Sequence, residues 1–183
     1  MPSKDDLRRR IKTLLENQSS NERLEKSRVI GEKLFGLAAF KQARCVCFYM
    51  SMPKEVDTSF MVDKALAIGK RVVLPRCDAA TTELRLYEAR DHRALEKNNY
   101  GILEPAPDRS TLVDVTEVDL VVVPGLVFDK QNNRLGRGRG FYDHFLKTLK
   151  PGVQKVGLAY GFQVVDTVPV DAKDVRLDLV LTE

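Results

Sequence analysis

The sequence predicts an α/β fold built in layers around a mostly parallel central sheet. Segments with apolar residues at helical spacing alternate with short continuous apolar runs, the pattern of strands buried on both faces. At 183 residues, 43% hydrophobic and 31% charged, the chain can close one sizeable core, so a single domain over 1–183 is expected. No internal repeat or low-complexity tract interrupts the alternation.

Leu7, Ile11, Leu14 and Leu15 predict a helix over 4–17. Ser19 with Glu22 three positions on is a capping-box signature, and Leu24, Ile30, Leu34 and Leu37 carry a second helix. The apolar run at 44–50 predicts a buried strand. Asp57 as N-cap and Gly69 as stop frame a third helix running to Ile68. Residues 71–74 predict a second strand ended by Pro75, and the alternation over 83–87 a half-exposed one. Residues 91–108 read as an ordered excursion that begins with a short charged helix. The strongest strand signal is 119–123, four consecutive aliphatic residues ended by Pro124-Gly125. A loop is expected from there to Gly140. Tyr142, Phe145, Leu146 and Leu149 then mark a helix, and 156–160 and 177–181 are late strands.

The charge balance, 30 Lys and Arg against 26 Asp and Glu, leaves +4. That favours acidic ligands but is too small to argue for nucleic acid by itself. Three cysteines without a CxxC pair do not make a disulfide or zinc framework; Cys45, Cys47 and Cys77 are expected to pack in the core. Residues 1–16 are charged and lack the apolar stretch of a secretory signal, while Asp5, Asp6 and Glu16 argue against a mitochondrial presequence. The longest apolar stretch, 120–128, is too short to span a membrane. A cytoplasmic location is expected.

One segment carries chemistry: Arg134-Leu135-Gly136-Arg137-Gly138-Arg139-Gly140-Phe141-Tyr142-Asp143. Glycine permits positive φ, so successive N–H groups can turn inward as an anion nest. A helix start beyond the glycines adds its positive end. Arg134, Arg137 and Arg139 bring forked donors suited to phosphate oxygens. The segment follows the strongest strand, at the strand end where open α/β sheets bind ligands. Its glycine spacing matches neither GxGxxG nor GxxxxGK[ST]. The competing readings are a flexible basic loop and an RGG-like RNA contact, and the helix directly after the glycines favours phosphate.

Pro124-Gly125-Leu126-Val127-Phe128-Asp129, followed by the run from Asn133 through Asp143, closely resembles the signature of the 5-formyltetrahydrofolate cyclo-ligase (methenyltetrahydrofolate synthetase) family. Lys4-x-x-Leu7-Arg8 resembles the N-terminal motif, Phe48 through Glu55 the first strand and turn, and Gly101-Ile102-Leu103-Glu104-Pro105 a mid-chain segment. Asp174 in the closing stretch fits as well. The resemblance implies a three-layer α/β/α sandwich of the sugar-isomerase and CoA-transferase type. It also implies conversion of 5-formyltetrahydrofolate to 5,10-methenyltetrahydrofolate with ATP and Mg²⁺, releasing ADP and phosphate. By the same resemblance, Lys4, Arg8 and the loop Arg134, Leu135, Gly136, Arg137, Gly138, Arg139, Gly140, Phe141 and Tyr142 would contact ATP. Met50 and Glu55 would line the folate site, with the backbone of Arg137, Gly138, Arg139, Gly140 and Phe141 shared between folate and ATP. Asp143 and Asp174 would bind Mg²⁺. Arg137 and Tyr142 are the expected catalytic residues. Phe141 stands where the family commonly has Tyr, and Arg139 occupies a variable position.

Each residue also has a plainer reading. Lys4 and Arg8, four apart, read as a solvated stripe on a helix, and Glu55 as a surface glutamate. Met50 reads as a strand-end core residue and Tyr142 as packing on Phe145 and Leu146. Asp143 is a first-turn carboxylate favoured by the helix dipole, Asp174 a loop or capping carboxylate. The alternatives to the enzyme are a non-catalytic folate-binding protein and an RNA-binding regulator on the same fold. A monomer is expected, with 5-formyltetrahydrofolate and ATP as partners, no membrane and no specific nucleic acid.

Overall fold

The computed structural model describes residues 2–78, 81, 83–90, 95–98 and 101–183. Helices α1 (Lys4–Asn17), α2 (Ser20–Gly36) and α3 (Ala38–Gln42) precede β1 (Cys45–Cys47), and α4 (Ser59–Ala67) leads to β2 (Arg71–Asp78) and β3 (Glu83–Ala89). An antiparallel pair, β4 (Leu95–Lys97) and β5 (Leu103–Pro105), is followed by β6 (Leu112–Val113) and β7 (Leu120–Val123). Then come β8 (Val127–Asp129), β9 (Arg134–Leu135), α5 (Phe141–Lys147), β10 (Gln154–Leu158), β11 (Val164–Val165) and β12 (Leu179–Leu181).

The main sheet has seven strands in the order β12-β10-β7-β1-β2-β3-β6. The first five are mutually parallel, and β3 and β6 run antiparallel at one edge. Alternating side chains divide the core. Val46, Leu120 and Val122 join Ile11, Ile30, Leu34, Phe40 and Met61 on the face covered by α1 to α4. Cys45, Cys47, Val121 and Val123 join Phe145 and Leu146 on the face covered by α5. The layers are helix, sheet, helix, as expected. All four residues of β7 are 0% exposed, and each such aliphatic burial contributes about 1.5–3 kcal/mol.

This topology places the site. From β1 the chain moves outward to β2, whereas from β7 it moves the other way to β10 and β12. The two central neighbours are parallel, so the segments leaving β1 and β7 emerge side by side at the same edge of the sheet. That is the topological switch point at which open α/β sheets form a crevice. Residues 48–58 leave β1, and 124–140 leave β7.

The capping box at Ser19 forms: the Ser19 hydroxyl accepts from Glu22 N at 3.3 Å, and Ser19 N donates to Glu22 Oε2 at 2.9 Å. Elsewhere the structure differs from expectation. Thr58 rather than Asp57 is the N-cap of α4, although Asp57 Oδ1 still accepts from Ser59 N at 3.0 Å. Strand β2 runs through Pro75 instead of ending there. Phe48 N donates to Val73 O, so odd-numbered residues of β2 direct their backbone groups toward β1. Pro75 lies beyond the last pairing with β1, at Cys47 and Val73, and no donor is needed there. For the same reason Cys77 is exposed rather than packed in the core, while Cys45 and Cys47 are buried as expected. Of the short charged helix expected before Asn98, residues 91–94 lie outside the described residues, and 95–97 form β4 instead, paired with β5. No helix among the described residues is long and apolar enough to cross a membrane.

The largest difference lies between 124 and 140, where the expected loop contains the β8–β9 hairpin. Its organiser is Asp129, only 1% exposed. The carboxylate accepts from Gln131 N (3.0 Å), Asn133 N (2.9 Å), Asn133 Nδ2 (2.9 Å) and Val168 N (3.0 Å). Burial alone would raise its pKa, but these hydrogen bonds outweigh it and hold the carboxyl below its ordinary value. Asp129 therefore stabilises the fold above the ordinary Asp pKa, and that contribution is lost as pH falls below about 4 toward its folded value. Asp129→Ala strands three backbone N–H groups. It is expected to cost about 2–4 kcal/mol and to flatten stability below pH ~4, measured by urea melts across pH.

Candidate active site

Every residue singled out from the sequence lines one cleft of about 1120 Å³ at the switch point. The glycine loop forms one side of it. Gly138 (φ +104°) and Gly140 (φ +72°) take the left-handed backbone and alternate with residues of ordinary φ, the geometry of an anion nest. Gly136 does not; a Cβ there would come within 3.1 Å of Arg134 Nη1, a tight contact to which the buried guanidinium would have to yield by a few tenths of an ångström. Gly140 is the N-cap of α5 and offers no side-chain cap, so the first N–H groups of the helix keep their donor capacity for a ligand.

The first helix meets this loop. Arg8 Nε donates to Gly136 O at 3.1 Å, which ties α1 to the nest across 128 residues. Lys4 pairs with Asp174 at 2.7 Å and Asp171 at 3.0 Å. Its hydrogen bond to Asp174 raises its pKa, so it stays charged at neutral pH. The solvated-stripe reading does not hold for either: Lys4 and Arg8 side chains are 27% and 21% exposed.

From the other side come the residues after β1. Met50 is 8% exposed, both core and cleft wall. Beyond it Lys54 adopts φ +75°, a left-handed conformation that is costly for a residue with a Cβ and shapes the turn into Glu55. Glu55 is held firmly. Its Oε2 accepts from Met52 N (2.9 Å), and its carbonyl accepts from the buried Tyr160 hydroxyl (2.9 Å). Its Oε1 reaches Arg137 of the glycine loop at 2.8 Å. The expected nucleotide and folate segments are thus joined by an ion pair, which sequence separation gave no hint of.

Arg134 is turned inward. Its side chain is 4% exposed, donates to Pro124 O at 3.2 Å and pairs with Asp143 Oδ2 at 2.9 Å. Leu135 is likewise buried, its carbonyl accepting from Leu126 N. The Tyr142 ring packs edge-on against Phe145 at 6.2 Å, with the Arg134 guanidinium 5.7 Å from its centre. Burial holds the Tyr142 hydroxyl well above its ordinary pKa, so it remains a protonated donor. Core packing and cleft lining hold together for this residue. Arg139, Phe141 and the exposed His144 also line the cleft.

Asp143 and Asp174, 31 residues apart, are brought together. Val175 N donates to Asp143 Oδ1 at 3.2 Å, which places the segment carrying Asp174 beside the start of α5. Each carboxylate already has a basic partner, yet a carboxylate offers about four acceptor sites, so both retain capacity for a further ligand. Two carboxylates beside an anion nest suit a hard divalent cation shared with phosphate oxygens. The donor set fits Mg²⁺.

The sequence did not identify the β4–β5 wall, where Leu103 and Glu104 line the cleft, nor Leu84, and it assigned Cys77 to the core rather than to the cleft it lines. Partial burial, with the Glu104 carboxylate alongside, pushes the Cys77 thiol up to about 11. The only signal available was the Gly101–Pro105 motif, which carried a resemblance but no role.

The chain matches the model of the 5-formyltetrahydrofolate cyclo-ligase family over residues 1–183. It is 31% identical over 192 residues to the mouse 5-formyltetrahydrofolate cyclo-ligase, covering 99% of this chain and 94% of that one. The NMR structure of the Aquifex aeolicus 5,10-methenyltetrahydrofolate synthetase superposes with a TM-score of 0.85 at 34% identity, over 97% of this chain and 88% of that one. The Mycoplasma pneumoniae 5,10-methenyltetrahydrofolate synthetase gives 0.80 at 25% identity, over 99% of both.

Proposed function

Because the chain belongs to the 5-formyltetrahydrofolate cyclo-ligase family, we propose that it uses ATP to convert 5-formyltetrahydrofolate to 5,10-methenyltetrahydrofolate, with release of ADP and phosphate. The observation that carries this reading is one cleft of about 1120 Å³ lined by both the phosphate-type nest and the Met50–Glu55 segment. The two segments face each other across it and are joined by the Glu55–Arg137 ion pair, so ligands held by each would meet there.

A formamide oxygen is a weak nucleophile and its carbon a weak electrophile. The formyl oxygen attacks the γ-phosphorus of ATP, and the bond to the bridging oxygen breaks to release ADP. N10 then adds to the activated formyl carbon and loses its proton; the C–O bond breaks, phosphate departs, and the methenyl bridge remains. No covalent protein nucleophile is needed, since positioning and charge stabilisation suffice. In this reading the N–H groups around Gly138 and Gly140 cradle phosphate, with Lys4, Arg8 and Arg139 adding charge. Arg137 stabilises charge developing at the transferred group and is aimed by Glu55. Met50 packs on the pterin, and Tyr142 donates from the cleft wall. Asp143 and Asp174 would hold Mg²⁺, which when bound neutralises phosphate charge.

The test is growth of methenyltetrahydrofolate absorbance from 5-formyltetrahydrofolate with and without ATP and Mg²⁺. Product is expected only with both. Folate binding without any product would leave a folate-binding protein, and product without ATP would refute the reading.

A further inference from the structure

The glycine loop and the Met50–Glu55 segment do not account for Glu104, a carboxylate on β5 that lines the same cleft at 5% exposure. Its cross-strand neighbour Glu96 is matched by Arg76 at 2.6 Å and Arg109 at 3.8 Å. Among the described residues Glu104 has no such basic partner. Its hydrogen bonds come from Cys77, whose N–H donates to Oε1 at a long 3.4 Å and whose thiol leans on the same carboxylate. A carboxylate buried this far ordinarily meets a cation or several short donors. Glu55 does: both its oxygens are engaged, by Arg137 and by Met52 N. Among the described residues Glu104 is the cleft glutamate that no basic side chain pairs with, and its acceptor sites are met by Cys77 alone.

Around it the cleft is lined by apolar Pro75, Leu84, Ile102 and Leu103 together with Lys97 and the mutually paired Arg76 and Glu96. The partner that fits is therefore a flat ring carrying two parallel N–H donors on one edge. A carboxylate takes such a fork as it takes a guanidinium, through two charge-assisted hydrogen bonds. Resting on the cyclo-ligase reading of the cleft, the geometry points to Glu104 as the specificity residue that holds the pterin through its N3–H and 2-amino group. That edge lies on the far side of the bicyclic ring from N5. Anchoring it on β5 sets the ring that carries N5 farther into the cleft, which the nest also lines.

The experiment is a titration of wild type and Glu104→Gln with two probes, 5-formyltetrahydrofolate and its 2-desamino-2-methyl analogue, alongside ATP. The amide keeps one acceptor oxygen but loses the charge and turns an NH2 toward the second donor, which predicts a Kd for 5-formyltetrahydrofolate about 10- to 100-fold higher in the variant, with ATP affinity within about twofold of wild type. The analogue is expected to cost wild type a similar factor and the variant less than about threefold, a difference that a merely structural role for Glu104 would not produce. Unchanged folate affinity in Glu104→Gln, or an equal analogue penalty in both proteins, overturns the assignment. If Glu104→Gln does not fold, wild type decides alone: equal affinity for both probes overturns it, and a loss of about tenfold or more supports it. Failure of wild type to bind either folate refutes the cyclo-ligase reading itself, and this assignment with it.

Discussion

Asp143→Asn is expected to lose about 3 kcal/mol of stability and to lower turnover by about 100-fold or more. The first effect comes from Arg134. Its side chain is 4% exposed and its charge is matched by Asp143 at 2.9 Å, so the amide leaves a buried guanidinium uncompensated. The second comes from removing one of two carboxylates beside the nest. The effects separate in a double variant. Arg134→Met with Asp143→Leu replaces the pair by apolar side chains, which often restores or exceeds the stability of a buried ion pair. Thermal melts should show the double variant recovering most of the loss while turnover stays at least about 100-fold below wild type. A single Asn variant that melts like wild type would mean the pair does not hold the loop. Turnover in the double variant would mean the charge is not needed.

Gly138→Val is expected to weaken ATP binding by about 100-fold or more while the protein stays folded. At φ +104° a β-branched residue is strained, so the nest must flatten to accept it. The fold is spared because Gly138 is exposed and its new Cβ would meet only the Arg8 guanidinium, at 3.5 Å. Calorimetry with ATP and a urea melt of the same sample distinguish the two. Unchanged ATP affinity would count against the nest, and a collapsed melt would show that the loop supports the core.

The sequence made the central layer legible because its strands are continuous aliphatic runs, as at 120–123, that only a sheet buried on both faces can hide. The β8–β9 hairpin was not legible. Its strands are two or three residues long, and the hydrogen bond from Val168 to Asp129 joins residues 39 apart. Much the same divides the site. The glycine loop advertises itself through spacing and composition. Glu55 and Arg137 could each be noted, but their pairing depends on β1 and β7 being neighbours in the sheet. Asp143 reads as an ordinary first-turn carboxylate, and the buried Arg134 that makes it indispensable lies on the preceding hairpin. Glu104 looks like any charged residue before a proline; its burial is set by β2, whose extension past Pro75 brings Cys77 against it.

In the proposed reaction both ligands meet within one cleft, the formyl oxygen against the terminal phosphoryl group. Turnover of 5-formyltetrahydrofolate carrying ¹⁸O in the formyl group tests this directly, with mass analysis of the phosphate released. One ¹⁸O atom is expected in each phosphate for every methenyl product formed. Unlabelled phosphate, with the ¹⁸O recovered in water, would show ATP hydrolysed apart from the folate and would contradict the proposed reaction.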